Sequence, residues 1–222
     1  MKKIFSSILL LCAAPAVTAA TISQDSYEYP GSGQSIELGD DILGNKGSFS
    51  ITYDLVDVNL NDIVTNGGTF FALNVTDENG TKGNITIGYS SALGFYSTGL
   101  GGMQFGSTVP YIPISTPFVF QYDSSDKTFS FSYYHEYDSD VNPHDLTELL
   151  SFSIGEDNIF ERGIATGNFT ITLPQGEADN IKTWSGAATA DDIAAAKSIP
   201  EPATATLSLL ALCGLAARRH RR

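Results

Sequence analysis

Apolar and polar residues alternate with a period of two along most of the chain between residues 21 and 185. Phe49, Ile51, Tyr53 and Leu55 alternate with Ser50, Thr52 and Asp54, and Ile85, Ile87 and Tyr89 alternate with Asn84, Thr86 and Gly88. This period sends successive side chains to opposite faces, the pattern of a half-buried β-strand. Further strands are predicted at 69–75, 118–122, 128–136, 149–154, 168–173 and 181–184, each bounded by Gly, Pro, Asn or Asp clusters. Asn79-Gly80 marks a hairpin turn, and the polar residues 123–127 join two alternating runs in a second hairpin. A single helix is predicted late in the chain. Thr189 caps its N-terminus, Asp191 and Asp192 occupy the first turn where the helix dipole favours them, and residues 193–197 follow. The spacing predicts an all-β protein: a two-sheet antiparallel sandwich with one short C-terminal helix.

The two ends break this pattern. Lys2 and Lys3 precede an apolar run over residues 4–14 and then the small residues Val17, Thr18, Ala19 and Ala20. That order is the one a secretory signal peptide requires, with cleavage by signal peptidase near Ala19 or Ala20. At the other end Pro200-Glu201-Pro202 precedes an apolar stretch over residues 203–217, closed by Arg218, Arg219, His220, Arg221 and Arg222. Fifteen helical residues rise about 22 Å, short of a hydrocarbon core of about 30 Å, so the tail predicts a marginal span with its arginines on the cytoplasmic side. The prolines stop the helix from extending upstream and leave an extended, cleavable tripeptide at the membrane surface. The chain therefore divides into a signal peptide at 1–20, one domain at 21–198 and a sorting tail at 199–222.

Charge narrows the possible partners. The chain has 222 residues and a formal charge of −13; without its first 20 and last 20 residues, which hold six basic side chains and no acid, it keeps 6 basic against 25 acidic side chains, a charge of −19. This excludes a cationic nucleic-acid binder. Both cysteines, Cys12 and Cys213, lie in the end segments, so the body carries no disulfide and no cysteine-based metal site.

Pro200-Glu201-Pro202, the short Ala/Leu-rich helix and the arginine cluster resemble the PEP-CTERM sorting signal of Gram-negative bacteria. The resemblance implies an exosortase-like processing enzyme as partner, a precursor held in the inner membrane by its tail, and a final place at the cell surface with exopolysaccharide. The alternative for the same residues is an uncleaved tail anchor. Within the body, Gly47-Ser48-Phe49-Ser50-Ile51-Thr52-Tyr53, the hairpin around 122–131 and the closing segment 179–194 resemble, in that order, the laminin-G and concanavalin-A-like lectin/glucanase superfamily. In that family Ala188 is often Leu. The resemblance implies a lectin-like jelly roll.

Candidate chemistry concentrates in residues 134–145. Period two places Tyr134, Glu136, Asp138 and Asp140 on one strand face, as a jelly-roll glycosidase requires for its paired carboxyls. The glucanases of the resembled family carry a glutamate where Asp140 stands, and the plain alternative is a solvated acidic loop. Asp138, Asp140, Asn142 and Asp145 also offer hard oxygen ligands for calcium, with Asp123 and Asp126 on the neighbouring hairpin as further donors; no other cofactor is indicated. Tyr134, Glu136, Asp138 and Trp184 form the candidate glycan-binding set, the rings supplying apolar faces for sugar C–H groups. His135 reads as a structural histidine. Asn74, Asn79, Asn84 and Asn168 each begin an N-x-T triplet, and these read as ordinary polar strand and turn residues. The functional expectation is an exported, non-enzymatic, lectin-like protein associating with glycan or exopolysaccharide. The alternatives are a jelly-roll glycoside hydrolase using Glu136, Asp138 and Asp140, or a purely structural protein of the surface matrix.

Overall fold

The computed structural model describes residues 20–43, 47–57, 65, 67–107, 117–135, 145–173 and 176–198. They form a jelly-roll sandwich of two six-stranded antiparallel sheets. In chain order the strands are β1 (Thr21–Tyr27), β2 (Ser35–Glu37), β3 (Phe49–Val56), β4 (Gly68–Asp77), β5 (Lys82–Ser90), β6 (Gly94–Gly99), β7 (Gln104–Phe105), β8 (Phe118–Asp123), β9 (Thr128–His135), β10 (Asp145–Ser153), β11 (Ile164–Ile171) and β12 (Glu177–Ser185). The helices are α1 (Asp40–Leu43), α2 (Ile159–Arg162) and α3 (Ala190–Ser198). The first sheet runs β1-β12-β3-β8-β9-β10 and the second β2-β11-β4-β5-β6-β7.

The alternation in sequence becomes the core between the layers. Phe49, Ile51, Tyr53, Phe118, Phe120, Phe129 and Phe131 face inward from the first sheet, and Phe71, Leu73, Ile85, Ile87, Phe169 and Ile171 from the second, all fully buried or nearly so. Phe71 and Phe120 stack across the layers with centroids 4.2 Å apart. Burying each such ring stabilises the fold by about 1.5–3 kcal/mol, and with no disulfide in the body this is what holds it together. A register shift between Thr69 and Phe71 turns both Phe70 and Phe71 inward.

Every predicted strand corresponds to a strand of the sandwich. β1, β2, β6 and β7 were not anticipated, because β1 is polar throughout its middle, β2 and β7 are only 3 and 2 residues long, and β6 is flanked by glycines. The single turn α2 is set by Asn158, whose side chain accepts from the amides of Phe160 at 3.0 Å and Glu161 at 3.3 Å. In the central hairpin the carboxylate of Asp123 accepts from the Ser125 amide at 2.9 Å, and that of Asp126 from the Thr128 amide at 3.1 Å. These acids are turn formers.

α3 begins as predicted. The Thr189 hydroxyl oxygen accepts from the Asp192 amide at 3.2 Å, while the Asp192 carboxylate accepts from the Thr189 amide at 2.9 Å, a reciprocal capping box. The helix lies on the outer face of the first sheet, packing Ile193 and Ala196 against Val119, Tyr134, Trp184 and Ala188. Ala188 is anchored through its backbone, which donates to the Ser50 hydroxyl at 2.8 Å. Ala20 is buried in the same cluster, immediately before β1 and against Gly186, whose φ of +104° a side chain would not tolerate. Ala19, Pro200, Glu201, Pro202, Arg218, Arg219, Arg221 and Arg222 lie outside the described residues, as does the rest of the predicted signal peptide before Ala20 and of the predicted sorting tail. Among the described residues no helix is long and apolar enough to cross a membrane.

Candidate functional site

The structure corrects the placement of two candidate glycan-binding residues. Tyr134 is 1% exposed and Trp184 3% exposed, so neither presents a ring to solvent. Both rings point away from the inter-sheet core, as period two predicts for Tyr134, but α3 covers that face. The Trp184 indole N–H donates to Thr52 Oγ1 at 3.0 Å, and the Lys197 ammonium lies 5.4 Å from the Tyr134 ring centroid. Glu136, Asp138, Asp140 and Asn142 lie outside the described residues. Among the described residues no group of three or more His, Cys, Asp or Glu side chains is placed to hold a metal ion.

A different surface brings polar side chains together. On the outer face of the second sheet, Glu37 pairs in register with Asn168, Asn168 with Asn74, and Asn74 with Asn84. The result is a polar row across β2, β11, β4 and β5, about 14 Å long at the usual strand spacing. Asn74 Nδ2 donates to Asn168 Oδ1 at 3.3 Å. The three asparagines come from three N-x-T triplets, and period two puts each threonine on the same face as its asparagine. Thr166, Thr76 and Lys82 therefore align on one side of the row, and Thr170, Ala72, Thr86 and Thr98 on the other. Asn74, Asn84, Glu37, Lys82 and Thr166 are exposed, and the row lines an open groove of about 460 Å³.

Aromatic surface borders this carpet at its far side. Tyr96 pairs with Gly88 on one side and Phe105 on the other. The Tyr96 ring lies across Gly88: a Cβ there would come within 2.6 Å of it. Phe105 is 56% exposed, as is Met103. The missing side chain at Gly88 is thus what lets the tyrosine rest flat on the sheet.

Chemically, the face can both donate and accept hydrogen bonds. A primary amide both donates and accepts, as a sugar hydroxyl does, and the threonines add further groups of the same kind. Glu37 is the one carboxylate in the row, whereas glycoside hydrolysis by the usual route needs two flanking the bond. The strongly perturbed ionisable groups lie elsewhere and serve the fold. Burial raises the Tyr122 pKa, as does its bond to Glu161, to which its hydroxyl donates at 2.7 Å. That same bond, against the effect of burial and together with Lys127 at 3.1 Å, holds the Glu161 carboxyl below its ordinary value.

The sequence does not disclose the row by itself. Its signal was present in the triplets at 74, 84 and 168, but only the register shows that the three asparagines stand side by side rather than scattered.

No protein-family profile matches the chain, and no curated protein matches it. Among solved structures, it is similar to the CBM40 of the Ruminococcus gnavus IT-sialidase bound to α2,3 sialyllactose, at 9% identity and a TM-score of 0.38 over 81% of this chain and 96% of that one. The same CBM40 in a second structure gives 10% identity and a TM-score of 0.36 over 68% of this chain and 81% of that one. The fructofuranosidase of Schwanniomyces occidentalis complexed with fructose gives 12% identity and a TM-score of 0.37 over 74% of this chain and 33% of that one.

Proposed function

We propose that this protein is an exported, non-enzymatic glycan-binding sandwich that uses the outer face of its second sheet to hold a neutral, hydroxyl-rich chain. The observation that carries the reading is the in-register row Glu37–Asn168–Asn74–Asn84, with Tyr96 and Phe105 on the same face at the register of Gly88, about 13 Å further along β5. The amides and threonines match ring hydroxyls, and the two aromatic residues offer apolar surface to sugar C–H groups. Because the row crosses four strands and is open, it suits the interior of a polysaccharide better than a single terminal sugar. In this reading signal peptidase removes the leader at Ala19 or Ala20, just ahead of β1. The tail from Pro200 then holds the precursor in the inner membrane until an exosortase-like enzyme releases it to the cell surface.

Affinity electrophoresis of the intact protein through gels containing neutral polysaccharides tests the binding. Retardation is expected in at least one, and Asn74→Ala, Asn84→Ala and Asn168→Ala combined should weaken it at least about tenfold while leaving the melting temperature close to wild type. Unchanged retardation in that variant would remove the face from the account. Release of reducing sugar that Glu136→Gln abolishes would replace binding by hydrolysis through Glu136, Asp138 and Asp140. Mass spectrometry of the protein recovered from its host tests the sorting: an intact C-terminus at Arg222 would count against processing.

A further inference from the structure

Another cavity lies on the opposite side of the molecule, between α3 and the outer face of the first sheet. Its volume is about 200 Å³, and its lining includes Thr52, Asp54, Asn180, Lys182, Trp184 and Lys197. Ile193 and Ala196 of α3 form an apolar wall, and the other side is polar. At about 30 Å³ per water in the liquid, the space equals about seven waters, enough for one sugar-sized ring and too little for a chain.

Two features set this cleft apart from a simple gap under a helix. Asn180 has a φ of +49°, in the left-handed region, and it sits where the pairing of β12 with β3 shifts register between Asp179 and Lys182. Such a bulge re-aims side chains, and here it directs the Asn180 amide at Asp54, Nδ2 donating to Oδ2 at 2.8 Å. Asp54 is half-buried, and that bond engages one of its two oxygens, leaving the other able to accept. Lys182 and Lys197 place two ammonium groups near the same carboxylate. One rim thus combines an acceptor, an amide and cationic donors beside an apolar wall.

We propose that this cleft is a second ligand site, taking a single neutral polyhydroxylated ring, with Asp54 and Asn180 as its hydrogen-bonding pair. A ring hydroxyl donates to Asp54 while its neighbours accept from the amide and the ammonium groups, and the apolar edge of the ring rests against the α3 wall at Ala196. The site is independent of the polar row, since it lies on the other sheet and under α3.

The chain supplies its own reporter, because Trp184 is its one tryptophan and lines the cleft. Titrating the intact protein with D-glucose, D-galactose and D-mannose, with open-chain sorbitol alongside, should give a saturable change in tryptophan fluorescence for at least one of the three hexoses and none for sorbitol. The expected Kd is of the order of 1 mM. Asp54→Asn and Asn180→Gly should each weaken the response at least about tenfold; the glycine accepts the positive φ, so that variant keeps its fold. Absence of a saturable change with all three hexoses would overturn the proposal. So would an equal response to sorbitol, or full retention of the response in both variants once their melting curves show them folded.

Discussion

Single side chains in this sandwich act in opposite directions. The Tyr53 hydroxyl is buried in the core with no hydrogen-bond partner among the described residues. Burial raises its pKa, so it stays a neutral phenol that has given up its water. Tyr53→Phe is expected to raise unfolding free energy by about 1 kcal/mol, measured by urea denaturation. Asp77 is the converse case. Its Oδ1 accepts from the amides of Asn79 at 2.9 Å and Thr81 at 2.7 Å, closing the Asn79-Gly80 turn, and Oδ2 lies 3.2 Å from Arg162 Nε. Burial pushes its pKa up, but those hydrogen bonds and the guanidinium together hold it below the ordinary 3.8. The stabilisation is complete above that value and is lost as pH falls through the lower folded-state pKa. Asp77→Asn should therefore flatten the acid limb of a plot of melting temperature against pH.

Asp54 has the opposite sign. Burial raises its pKa above 3.8, against the effects of Asn180, Lys197 and Lys182. The folded state then binds more protons than the unfolded state just above 3.8, and stability falls as pH rises through that window. Asp54→Asn is expected to melt higher than wild type at neutral pH, with the gap closing below pH 3.8. Calorimetry at both pH values checks this.

At the scale of elements, α3 is a short helix that depends on its cap and its contacts. Helices of this length are marginal alone, so the Thr189–Asp192 box and the burial of Ile193 decide whether it stays on the sheet. Thr189→Ala should cost about 1 kcal/mol and Ile193→Ala about 2–5 kcal/mol in unfolding free energy. Both should shift Trp184 fluorescence to the red as water reaches the indole. On the second sheet, Gly88→Ala should lift Tyr96 from the surface, since its new methyl would meet the ring at 2.6 Å and the Gly68 carbonyl at 2.8 Å. Weaker retardation in polysaccharide gels is the expected readout.

At the scale of the whole molecule, the charge of −19 on residues 21–202 sets the environment of both faces. It repels polyanions at low ionic strength, and salt relieves that repulsion, whereas hydrogen bonding to neutral hydroxyls is little affected. Binding to a neutral polysaccharide should thus change little on going from low to physiological salt, and any binding to a uronic-acid polymer should strengthen, as equilibrium dialysis can measure.

The fold was legible because alternation of Phe49, Ile51 and Tyr53, or of Phe129, Phe131 and Tyr133, states directly which face is buried; period two is a local property. The capping of α3 was legible for the same reason, since Thr189 and Asp192 are three residues apart. The polar row was not, although its triplets were in view: antiparallel register brings Asn74 beside a residue 94 positions away. Nor was the burial of Tyr134 and Trp184, because alternation gives only the side of the sheet a residue faces, and what covers that side is decided by where α3 docks. The sequence alone determined the layers, the turns and the acidic body. Which polar residues meet, and which aromatic rings reach water, depend on contacts between segments far apart in the chain, and only the tertiary structure supplies those.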